Sequence, residues 1–303
     1  MQPVCIVIVG PTAVGKTALA IRVAQQFGTS IISADSRQCF REMTIGVAKP
    51  SPEELAAVPH YFINSHSIHE DVNAAVFEQY ALQAVKKITS THPVVVMTGG
   101  TGLYVKAFCE GLDDIPAVLP TVREEIAQQY ELDGISWLQQ QVAAEDPLYY
   151  STGEIHNPQR LIRALEVKRS TGQSIRHFQQ GKKAARDFRI VKIGLELPRP
   201  ELYRNINQRV ENMVQAGQVE EARSLLPWRS LNALQTVGYN ELFDYFEGAG
   251  TLATAVEAIK TNTRHYAKRQ LTWFRKDPAI QWFSPENAVD VLQYAQASTQ
   301  EGN

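Results

Sequence analysis

Residues 6–20 read IVIVGPTAVGKTALA, and this stretch decides the fold. An apolar run, Val4–Val9, stops at a glycine, and helical spacing begins a few residues later. Between them Gly10, Pro11, Thr12, Ala13, Val14, Gly15, Lys16 and Thr17 fit the pattern GxxxxGK[ST]. Glycines let backbone N–H groups turn inward around phosphate oxygens. The helix N-terminus and Lys16 add positive charge, and the Thr17 hydroxyl is of the type that ligates Mg²⁺. A glycine turn that holds nothing is the weaker alternative. The motif specifies a polyphosphate. Loops of this kind most often hold ATP or GTP, yet nothing in the pattern requires a nucleotide.

Outward from the loop, the strand–loop–helix unit repeats. Residues 30–34 form a second apolar run ending at Asp35, and residues 93–97 a third, followed by Gly99-Gly100. Helical periodicity fills residues 16–27 and 74–91 between them. The class is α/β: a P-loop-type parallel sheet flanked by helices. From about residue 120 to 181 nothing reads as a strand, and the segment is polar and helical. Residues 188–197, FRIVKIGLEL, read as a strand again, and residues 201–276 as mostly helix. The expected organisation is a core of residues 1–115 and 186–303 with C-terminal helices, interrupted by an all-helical insertion at 116–185. The tail from Gln293 is polar and expected to fray.

The chain has 303 residues, 44% hydrophobic and 20% charged, as in soluble globular proteins. The run at Val4–Val9 is too short to span a membrane, and no signal peptide is evident. Cys5, Cys39 and Cys109 lack metal-site or disulfide-framework spacing, which fits a reducing cytoplasm. The net charge of −2 conceals a strong segregation. Residues 110–154 carry ten acids and one base, Arg123. Residues 160–192 carry ten bases against Glu166 and Asp187, and residues 260–276 six bases and no acid. Such blocks are commonly solvated helix faces, but two basic blocks also suit a polyanionic partner.

A phosphate loop of an NTPase is normally served by an acid at the end of a later strand, which helps hold magnesium. Here PVVVMTGG (93–100) ends in Thr98, Gly99, Gly100 and Thr101, with no acid. The second strand supplies one instead: IISADSRQCF (31–40) places Asp35 just beyond its end. Strand ends of such sheets gather at one edge, where ligands bind. Asp35 is either a turn former or a carboxylate beside the phosphate, able to bind a metal through water or to act as a base.

Six motifs in order, GPTAVGKT (10–17), ISADSRQCF (32–40), IGVAKP (45–50), TGGTGLY (98–104), NPQRLIRALE (157–166) and TVGYNEL (236–242), resemble the tRNA dimethylallyltransferase family, also called tRNA isopentenyltransferases. The resemblance runs from about residue 4 to 283 and includes AKRQLTWFRKD (267–277). It implies an Mg²⁺-dependent enzyme that moves a dimethylallyl group from dimethylallyl diphosphate to N6 of the adenosine immediately 3′ of the anticodon; a monomer in the cytoplasm is expected. The tRNAs are those reading codons that begin with U, and the helical insertion grips the anticodon stem-loop.

By this resemblance Gly10, Pro11, Thr12, Ala13, Val14, Gly15, Lys16 and Thr17 hold the diphosphate. Thr17 ligates Mg²⁺, with Asp35 reaching the metal through water. Asp35, Thr17, Lys16 and Arg209 are the catalytic set, with Asp35 accepting the proton of N6. Expected tRNA contacts are Asp35, Ser36, Arg37, Gln38, Thr101, Arg123, Gln159, Arg160, Leu161, Ile162 and Arg163. Gln38 is expected to pair with the edge of the flipped adenine. TVGYNEL and the basic helix at 260–276 are further candidates for backbone contacts, and His60 and His156 for packing or RNA contact. The sequence departs from the family at Cys39-Phe40, where a hydroxyl is missing, at Val47 in the IGVAKP loop, and at Asn205, where the segment NINQRV lacks its first arginine. Two rivals stand beside this reading: an ATP-dependent kinase, which leaves the basic blocks without a role, and an RNA-binding protein without catalysis, which leaves Lys16, Thr17 and Asp35 without one.

Overall fold

The computed structural model describes residues 2–300, and their contacts divide them into two compact units. One unit runs up to Cys109 and resumes at Ala185, and the other is Glu110–Ala184. In the first unit, β1 (Val4–Val9), α1 (Lys16–Gln26), β2 (Ile31–Ser33), α2 (Pro52–Ala57) and β3 (His60–Tyr61) lead to α3 (Ala74–Thr89), β4 (Val94–Gly99) and α4 (Gly102–Glu110). The helical unit carries α5 (Pro120–Glu145), α6 (Pro147–Thr152), α7 (Pro158–Thr171) and α8 (Ile175–Phe178). The chain then returns through β5 (Arg189–Leu195), α9 (Arg199–Gln215), α10 (Gln218–Leu225), α11 (Asn240–Phe246), α12 (Leu252–Phe274), β6 (Ile280–Phe283) and α13 (Ala288–Gln300).

The six strands form one parallel sheet in the order β3-β2-β4-β1-β5-β6. Every residue of β1 and β4 is buried, as expected where helices cover both faces. Alternation sorts them. Cys5, Val7, Val9, Val95 and Met97 meet Phe77, Phe108 and Phe243, whereas Ile6, Ile8, Val94 and Val96 meet Leu19, Val23, Ile206 and Val291. The register aligns the strand ends. Val9 pairs with Gly99, and Thr98 with Ser33, so the segments after β1, β2 and β4 leave the sheet at one edge.

In the helical unit, Ile126, Leu138, Val142, Leu161, Ala164 and Leu165 form a separate core. α7 begins on the Asn157 side chain, which accepts from the Arg160 N–H, with Pro158 at its first position, and ends at Gly172. α5 is broken at Gly134.

Several expectations are corrected. The insertion is the compact unit 110–184, against the expected 116–185. Two short strands, β3 and β6, were not legible, being two and four residues long. The tail from Gln293 does not fray within the described residues. α13 continues to Gln300 because Ala288, Val291, Ala295 and Ser298 recur at helical spacing and bury one stripe.

Candidate active site

The loop after β1 has the shape its sequence demands. Gly15 opens α1 with φ 98°, a conformation that a side chain would strain. The Lys16 ammonium lies back across the loop and donates to the Pro11 carbonyl at 2.7 Å. Burial, and then the neighbouring Arg209 guanidinium, lower the Lys16 pKa to about 7, while Asp35 opposes them. Burial also lowers the Arg209 pKa against the pull of Glu54 and Asp35. Two cations are thus held close together in a dry place, which is an electrostatic debt that an anion would settle.

Asp35 is fixed by its own turn: one carboxylate oxygen accepts from the Arg37 N–H at 2.9 Å and the Gln38 N–H at 3.3 Å. Asp35, Lys16, Thr17 and Arg209 line one narrow cavity of about 80 Å³. A wider one of about 420 Å³ shares Thr12, Asp35 and Arg209 with it. Arg209 comes from α9, whose Asn205, one turn earlier, donates to the Ala13 carbonyl at 3.4 Å. The departure at Asn205 therefore still reaches the loop.

A third wall comes from α12. Tyr266, Gln270 and Trp273 share one face and dock on residues 100–102, the loop that follows β4. The Tyr266 hydroxyl bonds with Thr101, and burial, with Asp35 nearby, pushes its pKa up to about 12. Gln270 donates to the Gly100 carbonyl at 2.9 Å and accepts from the Thr12 N–H at 2.8 Å. The Trp273 indole lies where a Cβ on Gly102 would stand. Thr101 in turn accepts from the Ser36 N–H at 3.0 Å, joining this loop to the Asp35 turn.

Sequence reasoning missed Gln270, Tyr266, Thr98 and the role of His60 in this cavity. All four line the narrow cavity. The Thr98 hydroxyl and His60 Nε2 are buried there without a hydrogen-bond partner. His60 Nδ1 lies 2.7 Å from the Val58 carbonyl, and burial lowers its pKa. Only the missing acid at Thr98 hinted at any of this. Among the described residues there is no cluster of three His, Cys, Asp or Glu fit for a metal. The oxygen atoms of Thr17, Asp35 and Thr98 in one cavity suit a hard cation that keeps several waters and takes phosphate oxygens.

Other expected contacts are occupied internally. Gln38 accepts from the Ser33 hydroxyl at 3.0 Å and donates to the Val47 and Ala48 carbonyls, so its amide holds the 45–50 loop while the residue also lines the narrow cavity beside Asp35. Because the bond to Val47 uses the backbone, the Val47 side chain leaves it intact. Arg37 donates to the Asn232 and Gln235 carbonyls. Cys39 and Phe40 are packed in the apolar core and line neither cavity. TVGYNEL is structural at its centre: Tyr239 is fully buried and donates to Glu221, whose carboxylate also accepts from the Thr44, Ile45 and Gly46 N–H groups.

In the helical unit, Gln159 and Arg160 are exposed, whereas Leu161 is wholly buried and Ile162 is partly buried against the same core. Arg123 and Arg163 converge on the buried Glu166 at 3.2 and 3.3 Å. The acidic and basic blocks pair with one another elsewhere too, Arg169 with Glu125 and Glu145 and Lys183 with Glu110. No described helix is long and apolar enough to cross a membrane.

The IPP transferase family model matches residues 38–277. A tRNA dimethylallyltransferase of Christiangramia forsetii is 50% identical over 96% of both chains, and tRNA dimethylallyltransferase 1 of Bacteroides thetaiotaomicron is 45% identical over 97% of this chain and 95% of its own. The crystal structure of a full-length tRNA isopentenylpyrophosphate transferase from Bacillus halodurans superimposes with a TM-score of 0.73 at 33% identity, covering 99% and 98% of the two chains. A loop built for phosphate without a strand-end acid, a carboxylate held beside it and a match along nearly the whole length lead to one assignment: the chain belongs to the tRNA dimethylallyltransferase (IPP transferase) family.

Proposed function

We propose that this protein transfers a dimethylallyl group from dimethylallyl diphosphate to N6 of the adenosine immediately 3′ of the anticodon, in tRNAs reading codons that begin with U. The observation that carries the reading is Asp35, Lys16 and Arg209 lining one narrow cavity at a phosphate loop, a carboxylate beside paired cations. The N6 lone pair attacks the allylic carbon as the carbon–oxygen bond to diphosphate breaks. Asp35 takes the proton that N6 loses. Diphosphate leaves with its charge held by Lys16, Arg209 and the loop N–H groups. Adenine N6 is a poor nucleophile, and its proton becomes acidic only as the new bond forms, so an ordinary carboxylate suffices. The two N–H bonds to Asp35 keep its carboxylate oriented through this step.

Mg²⁺, held by Thr17 with Asp35 acting through water, would neutralise charge on the departing diphosphate. The exposed Gln159 and Arg160, with Arg123 and Arg163 beside Glu166, form the RNA-contacting face of the helical unit. The target base leaves its stack to reach Asp35, which an anticodon loop permits at little cost. The protein acts as a monomer in the cytoplasm, where its tRNA is.

The test is transfer of radiolabelled dimethylallyl to an unmodified tRNA with adenosine at the target position. Wild-type protein is expected to transfer it. Asp35→Ala should retain tRNA binding and lose at least about a hundredfold in rate, the low end for a general base. Full activity of that variant would remove Asp35 from the mechanism, and ATP hydrolysis without transfer would reverse the assignment to a kinase.

A further inference from the structure

We propose that Glu221 is a positioning residue for the transfer reaction: it holds residues 44–48 as a preformed wall of the site and, through them, fixes the Gln38 amide beside Asp35. Its role rests on the reading that this site moves an allylic group to adenine. Glu221 lies on α10 and lines neither cavity, yet its carboxylate gathers the backbone of a distant loop. One oxygen accepts from the Thr44 and Ile45 N–H groups at 2.9 and 2.8 Å. The other accepts from the Gly46 N–H at 2.9 Å and from the Tyr239 hydroxyl at 2.6 Å. Three successive backbone donors around one carboxylate form an anion nest that the protein itself fills. Tyr239 closes the nest from below, since a Cβ on Gly46 would lie 2.8 Å from its ring.

The nest sets the course of the next residues. Val47 and Ala48 line both cavities, and Ala48 has φ 49°, a left-handed conformation that its side chain disfavours. In this conformation the Val47 and Ala48 carbonyls both accept from the Gln38 amide nitrogen, at 3.3 and 3.0 Å. The Gln38 oxygen then takes the Ser33 hydroxyl, so the protein alone fixes which way the amide faces. An amide offers a base either an acceptor or a donor, and a reversed amide would present the wrong group. Lys49 anchors the far end of the loop, donating to the Phe40 carbonyl and the Asn64 side chain. Phe62 and Asn64 also have positive φ, and Ile63 between them lines the narrow cavity. Ala13, in the phosphate loop, is the remaining described non-glycine residue of this kind. Strained backbone thus gathers around one site, and it persists only where surrounding bonds over-determine it. Glu221 supplies three of those bonds.

The experiment measures dimethylallyl transfer and pyrophosphate binding with full-length Glu221→Gln. The amide is nearly isosteric, but its NH2 group must face a donor that the carboxylate accepted. kcat should fall at least about tenfold, as for a displaced positioning group. Pyrophosphate affinity, measured by calorimetry, should stay within about twofold of wild type, because the phosphate loop takes no part in the nest. The control is Leu225→Ala, which removes a buried side chain from the same helix without touching the nest, and should keep kcat within about twofold. A merely structural role for Glu221 predicts a lower melting temperature with kcat unchanged below it, which overturns the proposal. So does an equal loss of kcat in both variants. Hydrogen exchange of the wild-type protein needs no variant: the amides of residues 44–46 should be protected at least about a hundredfold relative to the unfolded chain, and unprotected amides overturn the proposal. Wild-type protein that transfers nothing instead removes the proposed function itself.

Discussion

Lys16 shows how a single residue couples the fold to the ligand. Its pKa, lowered to about 7 by burial and by Arg209, means that the ammonium is partly discharged near neutral pH. A bound diphosphate would restore the charge, raising the pKa in the complex. The sign follows. Between about pH 7 and the higher pKa of the complex, binding takes up a proton, so affinity for diphosphate falls as pH rises through that window. Calorimetry with pyrophosphate at pH 8, in two buffers of different ionisation enthalpy, should report uptake approaching one proton beyond that of the ligand. Lys16→Arg, which stays charged, should abolish the additional uptake; equal uptake in both proteins would assign the proton to another group. Of the residues around Lys16, those in the loop itself were legible because the motif is local. Gln270 was not, since its partners Thr12 and Gly100 lie 258 and 170 positions away and a buried glutamine carries no signature.

At the scale of an element, α7 separates two roles within one motif. NPQRLIRALE is read along the chain as a run of contacts, but a helix turns successive residues to different sides. Arg160 faces outward, whereas Leu161, Ala164 and Leu165 form the core with Ile126 and Leu138. Asn157, Pro158 and Gly172, by contrast, mark the two ends of the helix in the sequence as clearly as in the structure. Leu161→Ala should therefore cost about 2–5 kcal/mol of stability in the helical unit, the range for a fully buried leucine. Arg160→Ala should fall within about 0.5 kcal/mol of wild type. Chemical denaturation followed by tryptophan fluorescence, with Trp137 inside this unit, measures both. An equal effect of the two substitutions would show that position 161 is not a core position. The strands were legible to within a residue or two where their apolar runs were continuous. β6 was not, because four residues after a long basic helix give no period to read.

Across the whole molecule, much of the segregated charge has partners within the protein. Of the ten bases in residues 160–192, eight have protein partners: Arg163, Arg169, Lys183, Arg186 and Lys192 pair with carboxylates, and Lys168, Arg176 and Arg189 reach carbonyl oxygens. In the 260–276 block, Lys260 and Arg275 are paired likewise. A linear sequence shows the sign of each block but not which acids face it, so the basic blocks overstate the surface left for RNA. The salt dependence of binding tests this directly. Each phosphate neutralised contributes about 0.7–0.9 to the slope of log K against log salt, so ten free bases would give a slope of roughly 7–9. With half of them paired to carboxylates, the slope for an anticodon stem-loop should fall to about half of that. Arg160→Ala should lower it by roughly one contact, while Arg169→Ala, whose guanidinium is held by Glu145 and Glu125, should lower stability and leave the slope unchanged. Fluorescence anisotropy across a salt series measures all three proteins, and an equal loss of slope in both variants would restore the basic block as a continuous RNA face.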